Sequence, residues 1–168
     1  MVIKYVGKLS LKYKIYNMIT IEDFKIKHSN KVRFIGLDLG SKRIGISICD
    51  ERQSIATPFK TINKTNTNEL IDQLKVIIEE NNIGGIIVGN PVNMDGSIGR
   101  SAQSVNDVAS NISKTIDLPV ILWDERLSTV GAFNLSSLLD VNVSKRVKTI
   151  DQNAAAFILQ GAIDFLNN

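Results

Sequence analysis

The sequence predicts an α/β domain, a mixed five-stranded sheet with helices on both faces. Three observations carry that reading. Apolar runs of strand length crowd together between residues 32 and 62, with turn residues between them. Beyond residue 66 the apolar spacing changes to a helical period, and from there helical stretches alternate with short apolar runs. The chain's 168 residues, 43% of them hydrophobic, suffice for one domain with a buried core.

Each element follows from local signals. Val32 to Leu39 reads as a buried strand, Gly40-Ser41-Lys42-Arg43 as a turn, and Ile44 to Cys49 as a second strand at hairpin spacing. A third strand around Pro58 to Ile62 belongs at a sheet edge, because proline brings no N–H to a ladder. Leu70, Leu74, Ile77 and Ile78 share a helix face, with Asn66 or Asn68 as the cap and Gly84-Gly85 as the stop. Ile86-Ile87-Val88, apolar without alternation, reads as a central strand. Asn90 through Gly99 is a loop rich in Asn, Asp and Gly. Val105, Val108 and Ile112 mark a second helix, Val120 to Trp123 a fifth strand, and Thr129 to Leu139 and Asn153 to Leu166 the last helices. The predicted order is β-β-β-α-β-α-β-α-α.

Charge divides the chain. Residues 1–33 hold eight Lys and Arg against Glu22 and Asp23, a net +6, whereas residues 34–168 hold twelve against fifteen acids, a net −3. The total of +3 therefore reflects the N-terminal stretch, and it does not make the rest a nucleic-acid binder. The expected division is a basic extension over 1–32, either an arm for phosphate backbone or a poorly ordered leader, and a domain over 33–168. One cysteine, Cys49, and one histidine, His28, exclude an intramolecular disulfide and a Cys/His metal cluster. Cys49 reads as a small core residue and His28 as a surface residue of the extension. Lysines at 4, 8, 12 and 14 leave no apolar secretory segment, and no run approaches the roughly 20 apolar residues of a membrane span. A cytoplasmic protein without a membrane partner is expected.

Three carboxylates stand where chemistry is possible. Strand alternation places Phe34, Gly36 and Asp38 on one side of the first strand and Ile35, Leu37 and Leu39 on the other. A carboxylate in such surroundings is costly unless it is paired, hydrogen-bonded or bound to a metal; the competing reading is a turn cap reaching Ser41. Asp124 and Glu125 follow the fifth strand directly, where α/β sheets place ligands. Alternation sends them to opposite faces, so one reaches a shared site, Glu125 being favoured, and Arg126 pairs with the other. Asp151 precedes an alanine-rich helix, either as its N-cap or as a third acid, and Ala154, Ala155 and Ala156 permit that helix to approach the sheet closely. Three carboxylates without His or Cys make a hard oxygen site that prefers Mg²⁺ or Mn²⁺. Two such ions roughly 4 Å apart can activate water and stabilise the leaving oxygen of a phosphodiester.

Four ordered motifs give these acids a context: Gly36-x-Asp38-x-Gly40-x-x-Arg43-Ile44-Gly45; Val88-Gly89-x-Pro91-x-x-x-Asp95-Gly96; Asp124-Glu125-Arg126-x-Ser128-Thr129; and Ile150-Asp151-x-x-Ala154-Ala155-x-x-Ile158-Leu159-Gln160. From about residue 33 to residue 166 they resemble the YqgF family, also called RuvX, known as Holliday junction resolvases or pre-16S ribosomal RNA nucleases. The resemblance implies an RNase H-like fold, a divalent-metal nuclease with Asp38, Glu125 and Asp151 as its acidic triad, and a cytoplasmic role at the 5′ end of pre-16S ribosomal RNA. Ser128 stands where the family often has Thr, and Gln152-Asn153 replaces a more usual Lys-Leu-like pair; neither departure removes an acid. Arg43, Arg100, Arg126, Lys145, Arg146 and Lys148 are the candidates for phosphate contacts. Gly89-Asn90-Pro91 and Asp95-Gly96 are expected to shape a loop beside the site. The expected partner is a structured RNA precursor or branched DNA, and the chain a monomer or homodimer, since resolving a junction needs two sites related by two-fold symmetry. Two other classes compete: one lobe of a sugar-kinase or actin-like ATPase, which would need a second lobe, and a non-catalytic nucleic-acid module that keeps its acids for structure.

Overall fold

Backbone pairing in the computed structural model builds one mixed sheet. The structure describes residues 18–27, 32–127 and 143–168, apart from the side chains of 26–27 and 143–152. The strands are β1 (Arg33–Leu39), β2 (Arg43–Cys49), β3 (Ala56–Asn63), β4 (Ile83–Asn90) and β5 (Val120–Asp124), and the sheet order is β3-β2-β1-β4-β5. β1, β2 and β3 pair antiparallel, as tight connections allow, whereas β4 and β5 join parallel to β1 and to each other through helical crossovers. Pro58 sits in the edge strand β3 opposite Ser47, where the register shifts, so its missing N–H costs the ladder little.

The helices are α1 (Ile21–Lys27), α2 (Thr67–Asn81), α3 (Arg100–Thr115) and α4 (Val143–Asn167). Alternation along the strands divides the core in two. Ile35, Leu37, Ile44 and Ile46 pack with Leu70, Leu74 and Ile77 of α2 and with Val105, Ala109 and Ile112 of α3. On the opposite face Phe34, Ile87 and Trp123 pack with Phe24 of α1 and with Ile158, Leu159 and Ile163 of α4. Burial of these side chains stabilises each layer by roughly 1.5–3 kcal/mol per large residue. Asn66 caps α2 by accepting from the Glu69 N–H at 2.9 Å, while its amide donates to the Glu69 carboxylate at 2.9 Å. Among the described residues no helix is long and apolar enough to cross a membrane.

Several boundaries differ from the sequence-based expectation. The stop for α2 is Asn82, left-handed at φ 53°, and not Gly84-Gly85. Those glycines lie inside β4, where a β-carbon on Gly84 would meet Val32 and one on Gly85 would meet Phe24 and Phe34; they serve close packing. The last helix begins at Val143, not Asn153, so Asp151 lies inside it and is not its N-cap; no proline or glycine between 143 and 153 interrupts the helix. The helix expected over 129–139 lies outside the described residues. Part of the expected extension joins the domain. The Ile19 N–H donates to the Val120 carbonyl at 3.1 Å, and α1 buries Phe24 edge-on against Phe34, with ring centroids 5.1 Å apart. A seven-residue helix with one core anchor leaves no readable period.

Candidate active site

Asp38 reaches the site because β1 is the middle strand and α4 lies directly on its backbone. Gly36, two residues earlier on the same face, makes room for that approach. A β-carbon there would stand 2.5 Å from Ser47 Oγ, 2.7 Å from Leu159 Cβ and 2.8 Å from the Ala155 carbonyl oxygen. Ser47, fully buried on β2, donates its hydroxyl to that carbonyl at 2.8 Å and ties helix to sheet. Asp38 is half-buried just beyond this contact. Asp151 lies about one helical turn before Ala155; its side chain is outside the described residues.

Glu125 comes from the other direction. β5 ends at Asp124, and a 3₁₀ turn over Glu125–Leu127 follows. The two adjacent acids part company there. Asp124 accepts from the Arg126 backbone N–H at 3.0 Å, from its Nε at 3.0 Å and from its Nη2 at 2.6 Å, and the guanidinium holds this carboxyl below the usual range. Glu125 turns toward Asp38. Burial, then the Asp38 charge, then Asp124 push its carboxyl up to about 7. Its seat is Gly89, where a β-carbon would stand 2.5 Å from Glu125 Oε1 and also meet Ile158. Gly89 belongs to β4 rather than to the loop after it. Sequence reasoning missed that role, although a glycine closing an apolar strand signals close approach.

A cleft of about 640 Å³ opens above these groups, with Asp38, Glu125, Arg100 and Arg126 in its lining. Arg100 starts α3, whose N-cap Gly99 offers no capping side chain. Arg126 lines the cleft while bound to Asp124, and its Nη1 reaches the Asn93 carbonyl at 3.5 Å. Arg43 opens β2 at the same end of the sheet, its Cα paired with that of Asn63. Lys145, Arg146 and Lys148 lie in α4, with side chains outside the described residues, as is His28 altogether. Asp95 and Gly96 form the loop turn: Asp95 accepts from Ser97, and Gly96 takes φ +83°. Cys49 is a core residue whose thiol accepts from the Phe34 N–H at 3.0 Å and is raised by burial.

Among the described residues no group of three potential metal ligands assembles. Asp38 and Glu125 form a pair of oxygen donors, and the lining of their cleft holds no His or Cys. Two carboxylates close enough to raise the pKa of one are a donor set that suits a hard divalent cation.

The fold and this sheet-end cleft define the class: an RNase H-like domain. A model of the RuvX family, described as "Holliday junction resolvase", matches residues 32–165, and the chain belongs to that family. It is 95% identical over 151 residues to a protein of Pelagibacter ubique (strain HTCC1062) named "Putative pre-16S rRNA nuclease", covering 90% of this chain and 100% of that protein. A protein of the same name from Cereibacter sphaeroides (strain ATCC 17025) is 43% identical over 148 residues, covering 88% of this chain and 92% of its own. Among solved structures, T. thermophilus RuvC in complex with a Holliday junction substrate is similar in fold, with a TM-score of 0.51 and 9% identity over 76% of this chain and 91% of that one.

Proposed function

We propose that the chain is a divalent-metal-dependent nuclease that processes the 5′ end of pre-16S ribosomal RNA in the cytoplasm. The observation that carries this reading is the pairing of Asp38 with Glu125 in one cleft, with the Glu125 carboxyl raised to about 7 by burial and by Asp38. Two such groups repel when both are ionised, and a bound divalent cation would offset that cost. Asp38, Glu125 and Asp151 would hold Mg²⁺ or Mn²⁺, which when bound supplies an activated water and charge stabilisation for the leaving oxygen of a phosphodiester. The chain's own groups orient the substrate. Arg100 and the positive end of α3 suit a phosphate, and Arg43, Arg126, Lys145, Arg146 and Lys148 are proposed as further backbone contacts. The names of the relatives support ribosomal RNA as the substrate.

The family description favours branched DNA as a second reading. One experiment separates the two. Wild type and Asp38→Asn are incubated with Mg²⁺ or Mn²⁺ and either a precursor fragment carrying the 5′ end of 16S RNA or a synthetic four-way junction. Cleavage of the RNA by wild type alone supports the proposal. Cleavage of the junction alone, by a dimer, would replace the substrate, and full activity of a folded Asp38→Asn would remove the site.

A further inference from the structure

The lining of the cleft is richer in carbon than a phosphodiester backbone requires. Beside its charged groups, the lining includes Pro91, Val92, Met94, Phe157 and Ile158. We propose that this apolar wall takes an unpaired nucleobase of the substrate, beside the phosphate being cut, with Phe157 and Met94 as the surfaces on which the base stacks. The inference rests on the nuclease reading and adds to it a preference for unpaired nucleotides.

Three features argue for this occupant. Phe157 lies on α4, is only half-buried and lines the cleft that holds the carboxylates. Met94 is 89% exposed, lines the same cleft and sits on a hydrogen-bonded turn. Asn93 donates its N–H to the Ser97 carbonyl at 3.1 Å, Gly96 donates to the Asn93 carbonyl at 2.8 Å, and the Ser97 hydroxyl donates to Asp95 at 2.6 Å. Arg126, held by Asp124, reaches the same Asn93 carbonyl. A thioether held out by a braced turn next to the acids is placed to meet a ligand. The cleft, about 640 Å³, is large enough to take a nucleotide. Bases freed from pairing stack on aromatic and apolar side chains, and Arg100 and Arg126 line the same cleft, where they suit the attached phosphate.

The test uses the full chain and an RNA whose cut position has been mapped from its products. The nucleotide beside the cut is replaced by 2-aminopurine or by an abasic residue. Wild type is expected to quench 2-aminopurine on binding without metal, and to lose about tenfold in kcat/KM on the abasic substrate. Phe157→Ala and the exposed Met94→Ala are expected to lose a similar factor on the intact substrate and nothing further on the abasic one. Equal losses on both substrates, or no quenching by wild type, would overturn the inference. Wild type that cleaves but ignores the abasic change removes the nucleobase wall alone, whereas wild type that cleaves no nucleic acid sinks the nuclease reading with it.

Discussion

The Glu125 carboxylate occupies the space that a side chain at position 89 would fill: a β-carbon on Gly89 would lie 2.5 Å from Glu125 Oε1. Gly89→Ala must therefore displace the carboxylate, together with Ile158. Displacement of a reacting group by about 1 Å can cost on the order of 10²-fold, and overpacking costs about 1–3 kcal/mol. The variant is expected to lose about 10²-fold in cleavage and to weaken Mn²⁺ binding, measured by single-turnover kinetics and calorimetry. Unchanged kinetics in a folded Gly89→Ala would show that the seat is not needed.

Asp124 and Glu125 are adjacent acids in different surroundings. Asp124 is tied to Arg126 in a solvent-screened surface pair. Asp124→Asn is expected to reduce cleavage by less than about tenfold, and Glu125→Gln by about 10²-fold or more. A reversed order in initial rates would exchange the two assignments.

The raised Glu125 carboxyl sets a pH dependence. Its folded value of about 7 exceeds the ordinary 4.5, so the folded chain binds this proton more tightly than the unfolded chain. The stability from this group is complete below about 4.5 and is lost as pH rises through about 7. Metal-free protein is expected to melt at progressively lower temperature across that window, and Glu125→Gln to flatten the profile. Metal affinity runs the other way, rising with pH as the competing proton leaves. Parallel melting profiles for wild type and Glu125→Gln would contradict the linkage.

The Ser47 hydroxyl is a fully buried tie from β2 to the Ala155 carbonyl of α4, at 2.8 Å. Ser47→Ala removes it at a cost of about 1 kcal/mol, which corresponds to a fall in Tm of roughly 2–4 °C for a chain of this size. Thermal unfolding followed by circular dichroism checks this, and an unchanged midpoint would show that the packing over Gly36 holds the helix without the bond.

Much of this was legible in the sequence, for a physical reason in each case. Alternation in Phe34-Ile35-Gly36-Leu37-Asp38 placed Asp38 on the face that α4 covers, because a strand has only two faces. Pro58 marked the edge strand because it lacks a donor. The glycines resisted reading. Gly84, Gly85 and Gly89 look like punctuation, yet each lies in β4 and faces a specific neighbour from a distant segment. No local pattern names that neighbour. The start of α4 was also hidden, since nothing between Val143 and Asn153 separates helix from loop by periodicity alone.

The sheet order puts β4 between the strand that carries Asp38 and the strand that leads to Glu125. With neighbouring strands about 4.8 Å apart, those two backbones are separated by roughly 9.6 Å. Glutamate's extra methylene helps span that interval, passing over a β4 residue that has no side chain. Position 125 thus specifies a length as well as a charge. An aspartate there would carry the same sign and titrate as readily, but would hold its oxygens farther from Asp38, so the two acids are not interchangeable.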